Sequence, residues 1–191
     1  TTEKYKRIPS AIYNAMINPI TSYTIKGAIW YQGETNRDEP KIYQQLLAEM
    51  VKDWRKQWNI GDFPFYYVQI APHQSQNAEI RESQLMALKT INNTGMVVTT
   101  DVGDPKNIHP IDKQTVGKRL AVLARAKTYG ETNLTYSGPI YNHMKIEGAR
   151  IRIYFDYADA GLVRRPRRAD DHQWRRPIDR LDRRPARRAA D

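Results

Sequence analysis

Three short apolar runs alternate with three helix-period segments along the first 130 residues, and no other feature restricts the fold of this chain as much. The run at 25–31 (IKGAIWY) ends in Gln-Gly-Glu, which predicts a buried strand leading into a loop. Pro40 then opens KIYQQLLAEMVKDWRKQWN, where Tyr43, Leu46, Leu47, Met50, Val51 and Trp54 recur at helical spacing before Asn59-Ile60-Gly61 closes the segment. The run at 63–71 (FPFYYVQIA) is rich in aromatic and branched residues with Pro72 just after it, and predicts a second buried strand. A helix over 79–91 places Leu85, Leu88 and Ile91 inward. A third strand over 95–100 (GMVVTT) runs into Asp101-Val102-Gly103-Asp104. Beyond Pro110, a helix over 113–129 aligns Val116, Leu120, Leu123 and Ala124. Parallel strands need crossover connections, and helices supply them on both faces of the sheet. The expected fold class is therefore α/β, a three-layer α/β/α sandwich around a parallel sheet.

After Gly130 the period changes. In SGPIYNHMKIEGARIRIYFDYADAGL, Ile151, Ile153 and Phe155 alternate with Arg150, Arg152, Tyr154 and Asp156, the pattern of a half-buried antiparallel strand. Composition changes again near Val163. Eleven arginines and five aspartates fall in 164–191, so this stretch carries +6 of the chain's +10 and leaves +4 for residues 1–163. With few apolar residues, three prolines and no period, it cannot offset its ordering entropy by burial, and disorder is expected there. It reads either as an arginine-rich arm for phosphates and other anionic surfaces or as a segment foreign to the domain. The expected organisation is an α/β domain over 1–135, a β-rich segment over 136–163 and the arginine-rich tail over 164–191.

At 191 residues the chain can bury one sizeable core. It has no cysteine, so disulfides, thiolate metal sites and cysteine nucleophiles are excluded, and any nucleophile is an oxygen or a nitrogen. No stretch approaches the 18 or so apolar residues of a membrane span, and the first thirty residues lack the order of a signal peptide. His73, His109 and His143 are too scattered in sequence to argue a metal, and no phosphate-cradling glycine loop or heptad repeat occurs.

Catalytic groups in a parallel sheet collect in the loops at the carboxyl ends of the strands. Two such loops stand out. Trp30-Tyr31-Gln32-Gly33-Glu34-Thr35-Asn36 brings an amide, a glycine and a carboxylate out of one strand end, and 101–110 offers His109, fixed by Pro110, with Asp101 and Asp104 upstream. Ester hydrolysis needs a base to activate a hydroxyl, an acid to orient that base, and neutral donors for the oxyanion. An ordinary turn and a surface histidine would read the same way in isolation.

The wording and order of these pieces add to that reading. PSAIYNAMINPI, IKGAIWYQGETN, FPFYYVQIAP and MVVTTDVGDPKNIHPIDKQTVGKRLA resemble the carboxyl-terminal two-thirds of the catalytic domain of sialate O-acetylesterases, carbohydrate esterases of the SGNH hydrolase superfamily, over roughly residues 8–160. The resemblance implies a flavodoxin-like α/β/α sandwich and removal of O-acetyl groups from sugars through a serine acyl-enzyme, with no metal or cofactor. It implies an acetylated carbohydrate or small acyl ester as partner, and a parent protein working outside the cytoplasm. His109 would be the general base. Gln32 and Gly33 would make oxyanion contacts, with Asn36 beside them toward substrate, and Glu34 would help to orient the histidine.

Two departures from the family pattern bear on the site. Lys106 stands where an aspartate usually precedes the histidine by three residues, which leaves Asp104, Asp101 or Glu34 as the orienting acid, Asp104 favoured. The family's Gly-Gln-Ser-Asn nucleophile block lies upstream of the region covered. The serines here are Ser10, Ser22, Ser75, Ser83 and Ser137, and Ser75 in His73-Gln74-Ser75-Gln76 stands nearest to such a context. The chain is thus either the histidine portion of an esterase with little activity of its own, or an esterase using another hydroxyl. An incomplete sheet would expose an edge able to pair with a second copy. Two further classes are a carbohydrate-binding module stacking sugars on Trp30, Tyr31, Trp54, Tyr66 and Tyr67, whose positions read more readily as core, and a nucleic-acid binder resting on the tail alone.

Overall fold

The computed structural model describes residues 8–76, 78–158 and 161. The tail at 164–191 lies outside the described residues. Contacts divide the chain into two compact units that meet between Gly138 and Pro139.

In the first unit, a short π-helical turn (Tyr13–Ile17) and a 3-10 turn (Asn18–Ile20) precede strand β1 (Ala28–Trp30). Helix α1 (Pro40–Trp58), strand β2 (Phe65–Val68), helix α2 (Ala78–Thr90), strand β3 (Thr94–Val97) and helix α3 (Lys113–Lys127) follow. Proline suits the first turn of α1, where its missing N–H would have no partner. Asn59 ends that helix in the left-handed region (φ 51°), one of the few residues that tolerate it. Asp112 caps α3, its carboxylate accepting from the Thr115 amide at 2.9 Å and the Thr115 hydroxyl at 2.7 Å, and these bonds hold its pKa below the usual carboxylate value.

The sheet order is β1-β2-β3 and both pairings are parallel, with Ala28 opposite Phe65 and Phe65 opposite Thr94. Central β2 is buried at all four positions because its side chains alternate between two covered faces. Phe65 and Tyr67 point to α1 and α2, meeting Tyr43, Leu47, Val51, Ile80 and Ala87. Tyr66 and Val68 point the other way, to Val116 and Leu123 of α3 with Val97. The three-layer α/β/α arrangement read from the sequence is the one formed.

Within it, the strands are shorter than their apolar runs. β1 begins pairing at Ala28, whose N–H donates to the Pro64 carbonyl, because Pro64 has no N–H to return. Helix α1 also departs from its pattern: Leu46 is half exposed, whereas Arg55 is buried and donates to the Phe63, Asn92 and Asn93 carbonyls.

The second unit contains a hairpin of β4 (Ile140–Glu147) and β5 (Arg150–Asp156), turning at Gly148 with φ 62°. Tyr141–Phe155, Met144–Ile153 and Ile146–Ile151 pair across one face. The alternation predicts these side chains half buried, but Ile151 and Ile153 are 62% and 51% exposed. A two-stranded ribbon has no second layer of its own to cover an apolar face. Among the described residues, no helix is long and apolar enough to cross a membrane.

Candidate active site

Because the three strands run parallel, their carboxyl ends emerge together, and the loops that leave them are joined by direct contacts. The loop after β1 meets the loop after β2 where Gln76 Nε2 donates to the Glu34 carbonyl (3.3 Å) and Arg37 Nη1 to Ser75 Oγ (3.4 Å). The loop after β2 meets the loop after β3 where the Gln74 N–H donates to the Pro105 carbonyl (3.1 Å). Gly103 packs directly on Pro72, so closely that a Cβ there would lie 2.6 Å from Pro72 Cδ and 3.0 Å from its backbone N and O. Lys113, the first residue of α3, sets its ammonium 5.0 Å from the Tyr31 ring centre.

The turn after β1 is built around Gly33, which is buried with φ 146° and ψ −14°, a conformation open to glycine alone. Glu34–Asn36 forms a 3-10 turn behind it. The Gln32 carbonyl accepts from the Tyr43 hydroxyl at 3.0 Å and from Gln84 Nε2 at 3.1 Å, while the Gln32 side-chain amide donates to Asn36 Oδ1 at 2.7 Å. Burial pushes the Tyr43 phenol up, and also that of Tyr31, where the Glu34 charge adds to the effect. Both hydroxyls therefore stay protonated near neutrality, and that of Tyr43 is the one that donates. A groove of about 340 Å³ opens beside this turn, lined mainly by apolar groups of Trp30, Tyr43, Leu46, Leu47 and Met50 together with Gln32 and Asn36.

The loop after β3 carries His109, exposed, its N–H donating to Asn107 Oδ1 at 2.9 Å. Asp104 accepts from the Lys106 N–H at 2.8 Å, closing its own turn. Asp101 holds Arg119 of α3 through two bonds of 2.7 Å, and Arg119 also donates to the Val98 carbonyl, so the start of this loop is tied to α3. Ser75 Oγ lies 2.7 Å from His73 Nδ1, and the same nitrogen accepts from the Ser75 N–H at 3.1 Å. That second bond makes Nδ1 an acceptor, so the hydroxyl is the donor of the first.

The structure thus brings Gln32, Gly33, Glu34 and Asn36 into one turn, and puts Asp104 and His109 in a second loop at the same end of the sheet. No described hydrogen bond links Asp104 or Glu34 to the His109 ring. Gln84 and the hydroxyl of Tyr43 escaped the sequence reading. The available signal was a glutamine at helical phase with Ile80 and Ala87, a polar residue on a buried stripe. The aromatic residues weighed as a sugar platform belong to the interior: Tyr66 and Tyr67 are buried, and Trp30, Tyr31 and Trp54 pack against the two core clusters. Among the described residues, no group of three or more His, Asp or Glu is placed to hold a metal.

Comparison with known proteins identifies relatives of the chain. The profile of the family described as "Carbohydrate esterase, sialic acid-specific acetylesterase" matches residues 1–125. The sialate O-acetylesterase of Mus musculus is 38% identical over 154 residues, covering 69% of this chain and 28% of the mouse protein; that of Homo sapiens is 36% identical, covering 69% and 29%. The crystal structure of a carbohydrate acetylesterase from Xanthomonas citri superposes with a TM-score of 0.75 at 38% identity, over 79% of this chain and 37% of that one. The chain therefore spans less than a third of the length of these curated relatives. It belongs to the family of carbohydrate esterases that comprises the sialic acid-specific acetylesterases.

Proposed function

We propose that this chain supplies the histidine and oxyanion-side portion of a site that hydrolyses O-acetyl esters of a sugar, with His109 as general base. Gln32 and Gly33 present donors to the tetrahedral oxyanion, Asn36 orients the Gln32 amide toward substrate, and Asp104 or Glu34 orients the histidine. The observation that carries this reading is the chain of contacts joining the Gln32–Gly33 turn, through the loop after β2, to the loop that bears His109. The groove beside Gln32 is of a size to take a sugar ring.

A second reading concerns the nucleophile and rests on the 2.7 Å contact between Ser75 and His73. In it, Ser75 Oγ attacks the acyl carbon as its proton passes to His73 Nδ1, and the alcohol leaves with a proton returned from the imidazolium. One experiment separates the two. The chain and its His109→Ala and His73→Ala variants are treated with a serine-directed fluorophosphonate and analysed by intact mass and peptide mapping. An adduct on Ser75 lost only in His73→Ala supports the second reading, an adduct lost in His109→Ala would identify His109 as base to a serine of this chain, and no adduct is the result expected if the chain supplies only the histidine and oxyanion side. Absence of any adduct would count against an independent serine site in this chain.

We also expect self-association. The outer edge of β1 has no strand beside it among the described residues, and Ile29 at its centre is 69% exposed, so a second copy can extend the ladder there. Light scattering at two concentrations should then show dimers or larger species. A monodisperse monomer at both would refute it.

A further inference from the structure

We propose that Gln84 is a positioning residue for the Gln32–Gly33 turn, acting on the oxyanion side of the site without touching substrate; the link to catalysis rests on the function proposed above. Gln84 is fully buried, although it sits on a helix face otherwise lined by Ile80 and Ala87. A buried carboxamide is costly unless all its groups are matched, and here each is given a separate task. Oε1 accepts from the Ile70 N–H at 2.9 Å, just beyond the end of β2. Nε2 donates to the Gln32 carbonyl at 3.1 Å and lies 3.5 Å from the Tyr43 hydroxyl, which donates to that same carbonyl. The two ends of the amide cannot be exchanged: the Ile70 N–H needs an acceptor and the Gln32 carbonyl needs a donor.

The backbone of Gln84 is anchored as firmly as its side chain. Tyr67 on central β2 donates its hydroxyl to the Gln84 carbonyl at 2.6 Å, and burial pushes that phenol up, so it remains a donor. Gly33 completes the fit, since a Cβ there would come within 3.0 Å of Gln84 Nε2. Gln84 therefore bridges the central strand to the edge-strand turn, and fixes the direction in which the peptide between Gln32 and Gly33 presents its N–H. That amide is the one the proposed mechanism aims at the oxyanion.

Two substitutions of nearly the same size separate positioning from packing. Gln84→Met fills the space but offers no donor, and Gln84→Glu keeps the acceptor for Ile70 while presenting a donor to Gln32 only when protonated. Hydrogen–deuterium exchange of the full chain is followed in peptides covering 31–36, with α1 and β3 as internal references. In Gln84→Met, exchange in 31–36 should rise about tenfold or more at every pH while the references hold. In Gln84→Glu, the same rise should appear at alkaline pH and reverse as the pH falls, because protonation restores the donor. Unchanged exchange in 31–36, a rise spread evenly over the references, or a pH-independent Gln84→Glu would each overturn the proposal. Fluorophosphonate labelling of the same variants reads the catalytic link separately: if the parent chain is labelled, Gln84→Met should slow the reaction with no change at His109, and a chain that takes no label leaves the exchange result to decide Gln84 alone.

Discussion

Replacing Gly33 by alanine should destabilise the α/β unit by about 3 kcal/mol, several times the cost of the same change at Gly61. Both glycines have positive φ, 146° and 80°, so both substitutions strain the backbone. They differ in what a Cβ would meet. At Gly61 nothing lies within 4 Å, and the cost is the conformational one alone, about 1 kcal/mol. At Gly33 the methyl group would lie 3.0 Å from Gln84 Nε2, 3.1 Å from Ile70 Cγ2 and 3.4 Å from the Tyr43 hydroxyl. None of the three can withdraw cheaply, because Ile70 is buried and the polar pair is committed to the Gln32 carbonyl. Any relief would come from moving the turn, which breaks those bonds in turn. Urea unfolding of the two variants beside the parent chain measures the difference. Equal losses would show that the turn yields freely, and would remove the argument that its geometry is fixed by the core.

The layout of the fold was legible in the sequence for a physical reason. A parallel sheet buried on both faces demands apolar strands and amphipathic crossovers, and FYYV, AIW and the helix of Leu47 and Val51 satisfy those demands locally. What escaped prediction depends on partners distant in the chain. Arg55 reads as a surface residue of α1 until the Asn92 and Asn93 carbonyls, nearly forty residues away, are brought beside it. Gln84 reads as one more polar helical residue until Ile70 and Gln32 converge on it. Conversely, the alternation in β5 was read correctly as a strand, but periodicity specifies which residues share a face and not whether anything covers that face.

The candidate site divides along the same line. That Gln32, Gly33 and Asn36 share one turn was legible because a glycine among polar residues at a strand end marks a turn, whereas the roles proposed for them came from the resemblance alone. The partner of His109 was not, since the acids near it in sequence have tasks of their own: Asp101 binds Arg119 and Asp104 closes a turn. Proximity along the chain cannot say which of several carboxylates a folded loop directs at an imidazole.

Phe65→Ala should cost about 3–5 kcal/mol. Phe65 is fully buried on the central strand, and its ring lies 6.4 Å from that of Trp30 and 6.1 Å from that of Trp54, which themselves meet edge to face at 5.7 Å. Truncation would open a cavity where β1, β2 and α1 converge. Such a void is expensive because indole rings anchored on two elements cannot collapse into it together. The consequence reaches the site, since Trp30 is the last residue of β1 and Tyr31 begins the loop that holds Gln32 and Gly33. Tryptophan emission should therefore shift to the red in the folded variant, and exchange in 31–36 should rise along with that of β1. If the alanine variant does not fold, Phe65→Leu, which keeps most of the volume, should lose only about 1 kcal/mol and preserve the emission. A loss below about 1 kcal/mol for a folded Phe65→Ala, with emission unchanged, would mean that β1 is held to the sheet by its backbone ladder and that the aromatic cluster is dispensable to the placement of the turn.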